Sequence, residues 1–361
     1  MVRFRCLPVQ HWRRAWIIPL LAINVLGLAY YFSRGHVQPR FHGMTSGFSK
    51  HYPSPVPGVQ GFAQTIADLW KPYVHPLDNT TFTTKSGRRY DLDPTHKHWD
   101  KPLGKDVVII DVDTRYDPGN GPVLEGKNMN YRTAGRMNHY IYSLIHGYDY
   151  KLIHAPEYWY RHQTWVKVPM MMEALKDHKF VVFLDADAIF SEPQMPIEWL
   201  LTLWNIHDDI LVALAEDIYK KTNLDRQGLL LWNTGFVIAQ NSPRTLELFQ
   251  SWKDCPSDRE FPGCSHWNKK FAHEQAAFGN YLRYKYNTTD ELRMIPCLDG
   301  NGSQYIPEKE ECGGQFVQHL WSSKDVTITD LQQLVATALS RQIKDGDIAR
   351  MFDALVRPIH V

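Results

Sequence analysis

Cysteine is scarce in this 361-residue chain, with five in all. No two of them form a C-x-x-C pair, which argues against a structural zinc site. Net charge is nearly absent as well, at +1. A balanced chain has no global electrostatic basis for binding nucleic acid. There is no internal repeat, so solenoid and propeller architectures are not indicated. Long uncharged runs are missing from most of the chain, with one exception near the N-terminus. Aromatic residues, in contrast, make up 13% of the sequence, with twelve Trp, and 43% of the residues are hydrophobic. That is enough for one large domain or two small ones and argues against disorder. Most of these rings belong to a core, and some offer stacking surfaces for sugars.

The exceptional run is Trp16 to Phe32, 17 residues without a charge. It sits at the lower limit for a membrane-spanning helix. Arg3, Arg5, Arg13 and Arg14 precede it, and Arg34 follows. The positive-inside rule leaves residues 1–15 in the cytosol, 16–32 as a signal anchor and the bulk of the chain across the membrane. No small-x-small cleavage site is evident. Cys255, Cys264, Cys297 and Cys312 all lie beyond the anchor, an even number suited to an oxidising lumen. Cys255–Cys264 and Cys297–Cys312 is the simplest pairing, and two other connectivities remain open. Asn79, Asn287 and Asn301 each begin a glycosylation sequon. The Pro-, Gly- and Ser-rich stretch after the anchor predicts an extended stem, and residues 33–104 are assigned to stem and connecting segment.

From about Lys105 short apolar runs alternate with helical patterns. This predicts an α/β domain over 105–361 around a mostly parallel sheet, with ligand sites at the carboxyl ends of the strands. Two such runs end in acid. "VVIIDVD" carries Asp111 and Asp113, and "FVVFLDADAIF" carries Asp185 and Asp187. Carboxylates at a buried strand end need a partner. In an extended chain residues i and i+2 point the same way, so Asp185 and Asp187 together suit Mn²⁺ or Mg²⁺ shared with substrate phosphates. Asp111 and Asp113 admit two readings: contact with a nucleotide base or ribose, or the aspartyl nucleophile of a membrane-anchored phosphohydrolase.

Six segments in order carry a resemblance. They are "NHYIYSLIHGYDYKLI", "WVKVPMMMEAL", "VVFLDADAIF", "LWNTGFVIAQNSPRTLELFQSW", "HEQAAFGNYL" and "FVQHLW". In these the chain resembles glycosyltransferase family 34, the galactosyl-, mannosyl- and xylosyltransferase group. It departs from that pattern in DAD for DSD and in "HLWSS" for "HFAG". The resemblance implies a GT-A nucleotide-diphospho-sugar transferase fold and a retaining, Mn²⁺-dependent sugar transfer to a glycan acceptor. The donor would be UDP-galactose, GDP-mannose or UDP-xylose. It further implies a single-pass type II protein of the Golgi membrane, with its catalytic domain lumenal, in complexes with other glycosyltransferases. By position, Asp185, Asp187 and His319 would hold the metal, and Gln275, Glu274 and Asn233 would act at the reacting sugar. Lys167, Glu216 and Asp217 would meet donor or acceptor. A non-catalytic sugar-binding protein on the same fold is the remaining alternative.

Overall fold

The computed structural model describes residues 59–115 and 129–345; the expected anchor at 16–32 lies outside them. No helix among the described residues is long and apolar enough to cross a membrane. The described residues open with helix α1 (Val59–Trp70) and a hairpin of β1 (Thr81–Thr83) and β2 (Arg89–Asp91). It continues through β3 (Val107–Asp113), α2 (Tyr131–His146), β4 (Asp149–His154) and α3 (Lys167–Ala174). Then come β5 (Phe180–Leu184), β6 (Ala188–Phe190), α4 (Ile197–Leu203), β7 (Val212–Glu216) and β8 (Trp232–Gln240). Helices α5 (Pro243–Asp254) and α6 (His273–Ala277) precede β9 (Leu292–Ile295), β10 (Val317–His319) and α7 (Val326–Asp345).

Six strands form the main sheet in the order β4-β3-β5-β8-β7-β9. The strands read as unbroken apolar runs because both faces are covered. Val108, Ile110, Val181 and Phe183 point to one layer, where Met171, Phe249 and Trp252 cover them. The alternate residues Val107, Ile109, Phe180 and Val182 point to the other, against Trp99, Trp199 and Phe316. This period of two within each strand places the core on both sides of one sheet.

The sheet is mixed rather than mostly parallel. Strand β8 runs antiparallel to both β5 and β7, whereas β3–β4, β3–β5 and β7–β9 are parallel. Between β7 and β8 there is no α-helix to carry the chain back across a face, so the next strand returns antiparallel. The "FVVFLDADAIF" segment is also not one strand. It breaks at Asp185, where the Ala188 amide donates to the Asp185 carbonyl at 2.8 Å. The continuation, β6, leaves the main sheet and pairs with β10 as a separate two-stranded ribbon.

Residues 59–104, expected to belong to a stem and connecting segment, are packed against the domain. Ala63, Ile66 and Trp70 of α1 form a third core with Ile141 of α2 and Leu331 of α7. Trp99 is 8% exposed, donates from its indole to the Ile206 carbonyl at 2.8 Å and meets Phe180 edge-on. The apolar spacing of Phe62 to Trp70 reads as an amphipathic stretch and forms α1, but the Pro- and Gly-rich connections after it, with isolated Trp and Leu residues, carry no periodicity that shows their packing. Both expected disulfides form, Cys255–Cys264 and Cys297–Cys312.

Two expectations follow. Trp99→Ala leaves a cavity between this segment and the sheet and lowers unfolding free energy by about 3–5 kcal/mol. A residue of an exposed stem would change it by less than about 0.5 kcal/mol in the same urea titration. The second concerns His146, whose Nε2–H donates to the Pro193 carbonyl at 2.9 Å between Tyr142 and Tyr148. Burial pushes its pKa down to about 4, against the opposing hydrogen bond to Pro193. The unfolded chain therefore takes up this proton first. Its stabilising contribution is complete above about pH 6.5 and is lost toward pH 4, on the order of 1–3 kcal/mol. His146→Gln should flatten the melting-temperature profile over that window; an unchanged profile would contradict this assignment.

Candidate active site

The sheet ends bring the acids together. Asp111 and Asp113 close β3, Asp185 and Asp187 follow β5, and Asp217 follows β7. Because β8 is antiparallel, its first residues, Asn233 to Gly235, arrive at the same edge. His319 ends β10 and is tied there by backbone: its amide donates to the Gly302 carbonyl at 2.7 Å, and the Leu320 amide donates to the Asp187 carbonyl at 2.7 Å.

Asp185, Asp187 and His319 each offer one ligand atom, all within 4.8 Å of one another. His319 Nε2 is 3.4 Å from Asp187 Oδ1 and 3.9 Å from Asp185 Oδ2. The two carboxylates converge although they sit in a turn rather than on an extended strand. Each gives its other oxygen to a lysine, Lys167 to Asp185 at 2.8 Å and Lys324 to Asp187 at 2.7 Å. Two carboxylate oxygens and an imidazole nitrogen are a donor set for Mn²⁺ or Mg²⁺. The tautomer fits as well. The Asn301 Nδ2 donates to the Glu216 carbonyl at 2.9 Å, which leaves its Oδ1 to accept from His319 Nδ1 at 3.2 Å. Nε2 is thus the nitrogen that faces the acids; it holds a proton toward them here, and a metal ion would displace that proton to use the lone pair.

Electrostatics hold the cluster charged. Burial pushes the Asp187 carboxyl up, but hydrogen bonds from His319 and Lys324 outweigh it and hold the group well below the usual carboxylate range. Burial pulls His319 down, while Asp187 and Asp185 raise it above its ordinary value. Two glycines make the approach possible. A Cβ on Gly235 would lie 2.2 Å from His319 Cε1, and one on Gly135 would lie 2.1 Å from the Ala186 carbonyl oxygen.

These groups line an open cavity of about 540 Å³, with Asp111, Asp113, Arg115, Arg136 and Trp321 on its other walls. Asp111 is 2% exposed. It accepts from Tyr150 at 2.7 Å and meets His139 Nδ1 at 3.0 Å, and His139 Nε2 donates to the Ala188 carbonyl at 2.7 Å. His139 thus bridges the first acid pair to the turn holding the second. Asp113 is held by Arg115 and Arg136. Burial raises its pKa, and these arginines outweigh it and lower the carboxyl. Both aspartates are engaged by protein partners at the cavity wall.

A second layer lies behind Lys167. Glu274, 2% exposed, accepts from Thr234 Oγ1 at 2.9 Å and from Thr164, and pairs with Lys167 at 3.3 Å. Burial opposes its charge, but Lys167 and these hydroxyls lower its pKa. Gln275 accepts from the Thr234 amide at 3.3 Å and donates to Asp217 at 2.7 Å. Asn233 Oδ1 accepts from the Gly235 amide at 2.7 Å. Glu274 is therefore placed to position Lys167 rather than to reach sugar hydroxyls. Lys167 itself is buried between Asp185 and Glu274, not solvated. Glu216 is half-buried, and its backbone carbonyl serves Asn301. Asn301 is a correction to the sequon reading. It is 1% exposed with both amide atoms engaged, so it has no room for a glycan. Asn79 and Asn287 are exposed.

The family model for nucleotide-diphospho-sugar transferases matches residues 155–337, half of the chain. The chain belongs to the nucleotide-diphospho-sugar transferase family. The matched segment of this transferase contains Lys167, Asp185, Asp187, Asn233, Glu274, Gln275 and His319, whereas Asp111 and Asp113 precede it. Solved structures with a similar course include a glycosyltransferase involved in glycosylation of the major capsid of PBCV-1. It shares 15% identity over 63% of this chain and 98% of that one, with a TM-score of 0.45. Mouse xyloside xylosyltransferase 1 follows at 9% identity, over 62% of this chain and 99% of its own, with a TM-score of 0.39. The galactosyltransferase LgtC, solved with donor and acceptor sugar analogs, shares 12% identity over 64% and 95%, with a TM-score of 0.34. No curated protein matches the chain.

Sequence reasoning missed Arg136, His139, Asn301 and Lys324. Arg136 and His139 stand three apart on one face of α2, a spacing that lets two side chains serve the same neighbours. Lys324 and Asn301 have no local signature.

The Lys167–Glu274 pair yields a double-mutant test. Lys167→Met leaves two carboxylates without their cation and costs about 3–5 kcal/mol in urea unfolding. Lys167→Met combined with Glu274→Gln should recover more than half of that. Equal losses in the single and double variants would show that the pair is not coupled.

Proposed function

We propose that this transferase is a retaining glycosyltransferase. It moves galactose, mannose or xylose from the corresponding nucleotide diphosphate to a glycan acceptor, with Mn²⁺ as the cofactor. The observation that carries this reading is the convergence of Asp185, Asp187 and His319 at the floor of the cavity, ringed by Lys167, Lys324 and Arg136. A bound divalent cation supplies charge neutralisation for a diphosphate leaving group. Lys324, with its side chain 43% exposed, can turn from Asp187 to a diphosphate oxygen and share that charge.

The cavity's carboxylates are all engaged. Asp111 and Asp113 serve His139, Tyr150 and the arginines, and Asp185 and Asp187 face the imidazole and the lysines. An inverting transfer calls for a free carboxylate as base. A retaining transfer lets the departing phosphate oxygen take the acceptor hydroxyl's proton on the face where the new bond forms. Gln275, which accepts from the Thr234 amide and donates to Asp217, would brace the start of β8 beneath the reacting sugar. The two disulfides and the exposed Asn79 and Asn287 sequons support a lumenal setting. On this reading the protein is a type II protein of the Golgi membrane, anchored through residues 16–32.

The test is donor binding followed by turnover. At a hundredfold excess over Kd the correct nucleotide sugar stabilises the fold by about 2.7 kcal/mol, roughly 5–10 °C for a domain of this size. The shift should require Mn²⁺ and vanish in Asp187→Ala, with transfer falling at least about a hundredfold. Transfer that proceeds in EDTA, or survives Asp187→Ala, would refute the reading. Metal-dependent donor binding without transfer to any glycan would instead support a sugar-binding protein.

A further inference from the structure

The ribbon of β6 and β10 has two faces. Residues alternate along it, so His319 and Gln318 point to opposite sides. His319 faces the acids. Gln318, paired across the ribbon with Ile189, faces away from them. Behind the ribbon lie two adjoining cavities of about 420 and 250 Å³, both bordered by Lys85, Asp330 and Gln333.

These cavities are lined by buried polar atoms that have no partner among the described residues. Gln318 is 2% exposed, and its Oε1 is unpartnered; it lines the larger cavity with Gln304, Gln315 and Tyr305. Trp70 is 3% exposed, and its indole Nε1 is unpartnered in the wall of the smaller one. Asp330 Oδ2, between the cavities, and Gln194 Oε1, in the smaller one, complete the set. Buried polar groups left unmet are costly and call for an explanation. Here three are acceptors and one is a donor, on walls that mix amides and hydroxyls with the apolar faces of Trp70, Phe190 and Leu334.

The charges cancel. Lys85 and Arg341 stand against Glu192 and Asp330, so no net field favours an anion or a cation. Burial raises both carboxyls, which weakens any pull on a cation. Arg341 is stacked 4.5 Å from the Trp70 ring and 4.8 Å from the Tyr73 ring, which fixes it as a wall rather than a mobile counter-ion. An uncharged ligand with many hydroxyl groups meets these demands, since each hydroxyl both donates and accepts. The two cavities together have the size of small-ligand sites.

We propose that the back of the β6–β10 ribbon is a second, non-catalytic binding groove for a neutral oligosaccharide. It lies across the ribbon from the cation-binding face and needs neither metal nor nucleotide. A glycan held there is tethered beside the reacting centre without entering it.

The experiment uses the full chain in EDTA, without nucleotide. The probes are mannotriose, galactobiose and cellotetraose at millimolar concentration, with ligand-observed NMR as the readout. Saturation transfer to at least one probe is expected. Asp330→Ala/Gln333→Ala should weaken it about tenfold or more, as should Gln333→Trp, which fills the groove from an exposed position. Asp187→Ala should leave it unchanged. Both groove variants should retain whatever Mn²⁺-dependent donor response the parent chain shows, which verifies their folding. No transfer to any probe, or transfer lost in Asp187→Ala and kept in the groove variants, would overturn the proposal. Saccharide binding in a chain that binds no nucleotide sugar would leave the groove standing and remove the transferase reading.

Discussion

Two carboxylates and an imidazole are forced together at one end of the sheet, and the surrounding structure exists in large part to tolerate that. Like charges a few ångströms apart repel strongly in a protein interior. The chain offsets the repulsion with Lys167 and Lys324 on the outer oxygens and the His319 ring between the inner ones. A divalent cation among the three would do the same more effectively, which makes the site's own electrostatics the argument for its chemistry. The same demand explains the glycines. Side chains at positions 135 and 235 would collide with the turn and with the imidazole, respectively.

The arrangement is layered. Asp185, Asp187 and His319 face the cavity. Behind them Asn301 orients the imidazole, His139 links Asp111 to the turn, and Glu274 fixes Lys167. Little of this second layer can move without disturbing the first, because each polar atom in it already has a partner. A rigid, charged floor under an open cavity is what stabilising a developing diphosphate charge requires.

The acids and the strands before them were legible in the sequence, since an apolar run that ends in two carboxylates has few physical explanations. Two helix ends were legible too: the Ser242-Pro243 start of α5, where Ser242 accepts from the Thr245 amide, and Gly147, which ends α2 at φ 75°. His319 was found by resemblance alone, because a single histidine near a strand end has no local mark. Its orienting residue, Asn301, was misread as a sequon, because Asn-Gly-Ser is the same three letters whether it faces solvent or the core. The direction of β8 was readable in hindsight from the absence of a helix between β7 and β8. The packed segment before Lys105 was not, since its contacts run to Ile206 and α7, more than a hundred residues away.

The central claim is that one divalent cation sits among these three side chains and contacts a diphosphate. Its most direct test is anomalous diffraction at the manganese edge, from crystals grown with Mn²⁺ and a nucleoside diphosphate. One strong peak is expected, bonded to Asp185 or Asp187 and to His319 Nε2, with diphosphate oxygens completing its shell. A nucleotide bound in the cavity with no peak there, or with manganese bound elsewhere, would contradict it.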